Sequence, residues 1–378
     1  MENDRTTTAP SRLRAGFVGA GFMAEVHSRA ARAAGADIAA IASSSRASAD
    51  RAKDRLGVQR AYDSAQDLFE DDAIDVIHIC SPNSTHYALA EAALKAGKHV
   101  VCEKPLATNV QDATELVELA ARAGTVATVP FVYRFHPMIR EARERIASGQ
   151  TGRISTIQGS YLQDWLLSRD DDNWRVDAAL GGPSRAFADI GSHLCDLVEF
   201  VSGEQIAKVS ALSRTLFSGR SNNKDIQTED LVAAVFATES GTVGNLLISQ
   251  VAPGRKNRLM IEIAGSESTL QFDQEAPEAL WLGKRTGSQL LVRDPQALSP
   301  DAARLSVLPP GHPQGYQDAF TAFVADTYAA INGDIREGLP TFQDGLRSAF
   351  LTESIIKSSK GGEWVDVPST KELEGAKQ

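Results

Sequence analysis

Apolar residues come in two kinds of run between residues 13 and 130. Short, nearly continuous runs ("LRAGFVG" at 13–19, "ADIAAIAS" at 36–43, "IDVIHICSP" at 74–82, "HVVCEKP" at 99–105, "TVATVP" at 125–130) predict strands. Strands covered on both faces read as unbroken apolar stretches, because neither side chain direction meets water. Between them lie segments with helical spacing, at 22–34, 46–56, 85–96 and 109–123. Strand and helix alternating through short loops predict a doubly wound parallel sheet.

Beyond residue 131 the period changes. Segments 152–163 and 207–217 read as strands, 231–251 as a hairpin turning near Ser240-Gly241, and 258–272 as another. Successive hairpins predict a mostly antiparallel, open-faced sheet in a second, α+β domain. Helices near 316–332 and 341–358 and a strand at 363–368 are expected to pack against it. The resulting division is a loose lead (1–12), a nucleotide-binding domain (13–130), a substrate-binding and oligomerisation domain (131–368) and a loose tail (369–378).

Composition narrows the chemistry. A net charge of −10 disfavours nucleic acid or an anionic membrane as partner. No apolar run reaches membrane-spanning length, and the first residues carry no apolar signal core. The three cysteines, Cys80, Cys102 and Cys195, suit buried reduced thiols, and no spacing suggests a metal site. A cytoplasmic protein is expected.

Gly19-Ala20-Gly21-Phe22-Met23-Ala24 forms a GxGxxA between the first strand and the first helix. The first glycine permits a tight turn and the second lets a pyrophosphate approach the backbone. Alanine lets helix pack closely on strand, and the helix start offers free N–H groups to the phosphates. After the second strand stands Ser43-Ser44-Ser45-Arg46, with no acid before Asp50. Hydroxyls and a guanidinium suit a 2′-phosphate, which favours NADP over NAD. Glu103, Lys104 and Pro105 end the fourth strand, and Ser81, Pro82, Asn83 and His86 end the third. Such strand ends face the ligand crevice of a doubly wound sheet. Asp189 and His193 stand four apart on a helical pattern, where a carboxylate and an imidazole can meet one ligand.

Together, GxGxxA, "SPNSTH", "EKP" and "DIGSH" in this order resemble the Gfo/Idh/MocA family over nearly the whole chain. The resemblance implies a Rossmann domain followed by an open-faced sheet, often in dimers or tetramers, and reversible hydride transfer between a nicotinamide and a sugar or cyclitol. It implies Lys104, Asp189 and His193 as the catalytic set. Asn83, His86 and Glu103 would line the nicotinamide ribose. "GSYLQDW" (159–165) resembles the strand of members that act on pyranosides, which makes Tyr161, Gln163, Asp164 and Trp174 candidate sugar contacts. Pro183-Ser184-Arg185 departs from the family pattern. If two of Arg134, Arg175 and Arg185 converge in the pocket, an acidic sugar is expected. Two other functions are compatible with these residues: glycoside cleavage with the nicotinamide recycled, and nucleotide sensing without chemistry.

Overall fold

The structure, a computed structural model, describes residues 12–369; the remainder of the expected lead and tail lies outside the described residues. Six strands, β1 (Arg14–Val18), β2 (Asp37–Ala42), β3 (Arg60–Ala61), β4 (Val76–Ile79), β5 (His99–Cys102) and β6 (Ala127–Thr128), form one parallel sheet in the order β3-β2-β1-β4-β5-β6. Helices α1 (Phe22–Ala33), α2 (Arg46–Leu56), α3 (Ala65–Glu70), α4 (His86–Lys95) and α5 (Val110–Ala123) connect them. The order reverses between β1 and β4, which is where such a sheet opens a ligand crevice. Side chains of β1, β2, β4 and β5 are almost all buried, as their unbroken apolar runs require. The short pair β3 and α3 was not anticipated: two strand residues and six helical ones carry too little period to read.

The chain then forms α6 (Pro137–Ala147), β7 (Ile154–Leu162), the short α7 (Ala178–Gly181) and α8 (Ser192–Ser202). The strands β8 (Ile206–Arg214), β9 (Leu231–Thr238), β10 (Val243–Ser249), β11 (Arg258–Gly265), β12 (Thr269–Asp273), β13 (Ala279–Lys284) and β14 (Gly287–Val292) follow. Helices α9 (Pro300–Arg304), α10 (Tyr316–Ile331) and α11 (Phe342–Gly361) and strand β15 (Val365–Asp366) complete the described chain. The second sheet has nine strands in the order β14-β13-β12-β11-β7-β10-β9-β8-β15. It is mostly antiparallel, with β7 and β10 paired in parallel. One face is covered by α8, whose Leu194 lies 3.0 Å from where a Cβ on Gly159 of β7 would sit. The other face is bare: Leu212 of β8, Val235 of β9 and Val243 and Leu247 of β10 are exposed.

One expectation needs correction. α10 packs on α1 and shares a core with β1 and β2 through Phe320, Phe323 and Val324, so it completes the first domain rather than covering the second sheet. α11 does reach the second sheet, against β8, and also packs on α5.

Candidate active site

The turn after β1 is built as its sequence implies. Gly19 has φ +109°, and a Cβ there would lie 2.7 Å from the Cys80 carbonyl oxygen, so only glycine fits. A Cβ on Gly21 would meet nothing within 4 Å, leaving open space above the backbone. Gly21 caps α1 without a side chain, Ala24 is buried, Phe22 is exposed and Met23 half-buried. Uncapped N–H groups at a helix start, facing open space, fit a pyrophosphate.

Beside this turn, the β2 end holds a guanidinium that is already engaged. Arg46 Nε bonds both oxygens of Asp50 at 3.1 and 3.0 Å, and its Nη1 reaches Asp63 at 3.0 Å. Ser45 caps α2 by accepting from Ser48 N–H, and the Ser43 and Ser48 hydroxyls pair at 3.0 Å, while Ser44 stays exposed.

At the end of β5, Lys104 crosses to the second domain. Its Nζ donates to Asp189 Oδ1 at 2.7 Å and to the Asp189 carbonyl at 2.8 Å. Asp189 Oδ2 accepts from Gln250 Nε2 at 2.8 Å, and Arg175 Nε lies 3.4 Å from Oδ1. Burial alone would raise the Asp189 pKa, but Lys104, then Arg175, hold it well below the carboxylate range. His193 is buried, and its Nδ1 has no partner among the described residues. The ring stands edge-on to Phe131 and Tyr133, at centroid distances of 5.7 and 5.1 Å. Burial, reinforced by the Lys104 cation, pushes its pKa down to about 3, so the imidazole is neutral at physiological pH. A neutral histidine beside a cation is a proton acceptor.

The backbone under these residues is not the plain helix start expected. Phe187–Gly191 form a π-helical turn, closed by Ser192 N–H on the Phe187 carbonyl. Glu229 Oε1 accepts from Ser184 Oγ at 2.7 Å, Arg185 N–H at 3.0 Å and Phe187 N–H at 2.9 Å, capping the turn with a carboxylate. Such a turn re-aims the residues it carries. Asp189 is thereby bonded to Lys104, and among the described residues no hydrogen bond joins it to His193.

Other expected contacts separate. Arg134 is buried in an ion triad: its Nε donates to Asp196 Oδ2 at 2.8 Å and its Nη2 to Asp344 at 2.7 Å. Arg185 is fully buried against Asp230, which also accepts from Arg220 at 2.8 Å. Neither reaches the cleft, so no two of the three arginines converge there and the premise for an acidic sugar fails. His86 is fully buried, with Nδ1 2.7 Å from the Pro105 carbonyl and Nε2 3.0 Å from that of Ser81. It staples the two strand-end loops together instead of facing a ribose. Asn83 donates to the Gly181 carbonyl at 2.9 Å, and Ser81 pairs with Thr85 beside the half-buried Pro82. Glu103 turns inward, onto His27.

The sugar candidates meet in part. Tyr161 is buried and bonds Tyr133 at 2.5 Å and Asn257 at 2.8 Å. Gln163 donates to Asn257 at 2.7 Å and accepts from Trp165 at 2.8 Å. Asp164 sits apart, paired with Lys256 at 2.7 Å. Trp174 carries the Arg175 guanidinium on its ring face at 4.5 Å. Tyr133, Gln250, Asn257 and Tyr316, whose ring lies 6.2 Å from that of Tyr133, were not singled out from sequence; no local motif marks them, because they come from separate elements.

The comparisons agree with this two-domain fold. The profile of the oxidoreductase family with NAD-binding Rossmann fold matches residues 13–131, and that of the GFO/IDH/MocA C-terminal domain matches 139–271. The chain belongs to the Gfo/Idh/MocA oxidoreductase family. It is 28% identical to levoglucosan dehydrogenase of Pseudarthrobacter phenanthrenivorans, over 94% of this chain and 98% of that protein. It is 28% identical, over 69% of its length and 75% of the relative's, to myo-inositol 2-dehydrogenase of Thermotoga maritima. The solved structure of levoglucosan dehydrogenase with NADH and L-sorbose superimposes with a TM-score of 0.89 at 28% identity, covering 95% of this chain and all of that one. The protein is an NAD(P)-binding oxidoreductase of the sugar dehydrogenase kind. No helix among the described residues is long and apolar enough to cross a membrane.

Proposed function

We propose that this oxidoreductase oxidises, reversibly, a ring hydroxyl of a neutral pyranose-type sugar or a related cyclitol. The observation that carries the reading is the buried, neutral, unpartnered His193 beside the Lys104–Asp189 pair at the end of β5. A bound nicotinamide supplies the hydride acceptor. An ammonium has three donors, and Lys104 spends two on Asp189. The third is left for the reacting oxygen, whose developing charge it stabilises. His193 takes the hydroxyl proton. Gln250 and Arg175 hold Asp189, and so hold Lys104. The polar file Tyr133–Tyr161–Asn257–Gln163 and the Trp174 face suit a ring with hydroxyls on one side and C–H groups on the other.

The test is a panel of neutral sugars, sugar acids, cyclitols and glycosides with NAD or NADP in excess, followed by nicotinamide absorbance and product analysis. Stoichiometric reduction with a neutral sugar or cyclitol is the expected result. Turnover of sugar acids alone, or aglycone release without net reduction, would overturn it.

We also propose that the bare face of the second sheet binds a second copy of this chain. Leu212 and Leu247 are both in register with Ala233 and line one row across β8, β9 and β10. Sedimentation of wild type and the Leu212→Asp/Leu247→Asp double variant decides this: a larger species in wild type, smaller in the variant, is expected. A monomeric wild type at micromolar concentration refutes it.

A further inference from the structure

Behind the reaction centre runs a file of buried polar groups that the proposed chemistry does not use. Glu103 Oε2 accepts the Lys104 backbone N–H at 3.1 Å. Glu103 Oε1 lies 3.0 Å from His27 Nε2, on α1. His27 Nδ1 lies 2.9 Å from His78 Nδ1, on β4. His78 Nε2 lies 2.8 Å from the Tyr328 hydroxyl, on α10. Both imidazoles are wholly buried, and Glu103 and Tyr328 are 6% and 5% exposed. Phe17 stacks on His78 at 4.9 Å and Phe320 lies 4.6 Å from His27, so neither ring has room to swing.

We propose that this file, Tyr328–His78–His27–Glu103, positions Lys104, with a direction set at its Glu103 end. The inference rests on the catalytic reading of Lys104 given above. An ionised carboxylate only accepts, so His27 must donate to it from Nε2. One proton on each ring then satisfies every bond. His27 Nδ1 accepts from His78 Nδ1–H, and His78 Nε2 accepts from the Tyr328 hydroxyl. The electrostatics agree with this geometry. Burial alone would raise the Glu103 pKa, yet the His27 bond and the Lys104 ammonium hold it below its usual value. Burial holds His78 well below the imidazole range, so it carries one proton. The outcome is a carboxylate fixed at one oxygen by α1 and at the other by the Lys104 peptide. Glu103, His27, His78 and Tyr328 are positioning residues: they act through Lys104, whose side chain reaches the substrate. Outer partners that orient metal ligands carry about 10- to 100-fold of affinity or activity, and an effect of that order is expected here.

The direction makes the file testable without knowing the substrate. In Glu103→Gln the amide N–H₂ must face either the Lys104 N–H or His27. Facing His27, it forces His27 to accept at Nε2 and donate from Nδ1. His78 must then accept at Nδ1 and donate from Nε2 to the Tyr328 oxygen. Both tautomers reverse together. Side-chain ¹⁵N spectra of the full chain, labelled at histidine, read this directly. The expected result is one ring of each tautomer in wild type, assigned by loss of the His27 and His78 signals in His27→Gln and His78→Gln, and their exchange in Glu103→Gln. Unchanged tautomers in Glu103→Gln, or a wild type with the opposite assignment, overturn the directed file. Kinetics supply the second arm. Glu103→Gln should lower kcat by about tenfold, with KM and the NADH dissociation constant (by fluorescence) within about threefold of wild type. Tyr328→Phe should have a smaller effect of the same kind. A kcat within twofold of wild type refutes positioning. A loss of NADH affinity matching the loss of kcat shows Glu103 to be a cofactor ligand instead. If no sugar of the panel turns over, the proposed chemistry fails while the spectra still decide the file.

Discussion

Two charged clusters sit within a few residues of each other on one turn, and they differ in what they leave unused. Around Arg185, Asp230 and Arg220 the side chains are wholly buried, two guanidiniums share one carboxylate, and no cleft opens. Around Lys104 and Asp189 the side chains are 12% and 15% exposed, one ammonium donor is uncommitted, and a neutral imidazole lies alongside. Both clusters look the same in sequence, as a basic residue and an acid separated along the chain. The difference is in the partners. A sealed cluster spends its hydrogen-bonding capacity on the protein and contributes to the fold, whereas an open one keeps capacity for a ligand. The π turn joins them: it anchors its start in the sealed cluster through Glu229 and delivers Asp189 to the open one.

The sharpest way to break this contrast is to strip the open cluster. His193→Ala and Lys104→Ala should each lower kcat by about 10²- to 10⁴-fold in the assay that registers turnover. Their urea midpoints should fall less than that of Asp230→Ala, since Arg175 and Gln250 still hold Asp189. The pH profile sharpens the assignment. His193 has its pKa lowered to about 3, so its neutral, proton-accepting form persists as pH falls well below 6.5. The acid limb of kcat/KM should therefore lie below pH 6; a limb centred at 6.5–7 would show that His193 titrates as an ordinary exposed imidazole.

Next in size comes the sealed cluster. Asp230→Ala leaves two buried guanidiniums without their carboxylate and unseats the Leu216 N–H, which now donates to Asp230 at 2.6 Å. Removing one partner from a buried ion cluster typically costs about 3–5 kcal/mol. Arg185→Met should cost less, because Arg220 still neutralises Asp230 and two Arg185 nitrogens already lack partners. Urea unfolding ranks the two variants; Arg185→Met less stable than Asp230→Ala would reverse the account. Loss of activity by Arg185→Met without loss of stability would place Arg185 in the catalytic cleft after all.

How far each cluster could be read from sequence follows from the same contrast. β1, β4 and β5 announced themselves because a parallel strand buried on both faces is nearly continuously apolar, with His78 the polar exception inside β4. The Gly19 turn did so because only glycine fits against the Cys80 carbonyl. α6 did not, since five of its eleven residues are Arg or Glu and its apolar stripe is thin. The β13–β14 hairpin was missed because β14 is largely exposed and shows no alternation. Lys104, Asp189 and His193 were legible as motifs, but their bonding was not: spacing placed Asp189 with His193, and the π turn placed it with Lys104. Arg134 and Arg185 were misplaced for the same reason. Their carboxylates, Asp196 and Asp344 for one and Asp230 for the other, lie 45 to 210 residues away and carry no local mark.

The smallest effect concerns the nucleotide's far end, where the open-versus-committed distinction applies to Arg46. The sequence favours NADP there, because serines and a guanidinium suit a 2′-phosphate. In the fold, Arg46 is committed to Asp50 and Asp63, and both carboxylates would face an added phosphate. These ion pairs are exposed, so water and salt screen them and each is weak. An Asp50→Asn/Asp63→Asn variant keeps the shape of the β2 end, removes two negative charges and frees the guanidinium. NADP should then bind a few-fold tighter, about three- to tenfold, while NAD changes less than twofold. Titration of both nucleotides by tryptophan or NAD(P)H fluorescence at low and high salt reads the effect, which should shrink as salt rises. An unchanged NADP affinity at low salt would mean that Arg46 does not face the ribose, and that the choice of nucleotide is made elsewhere.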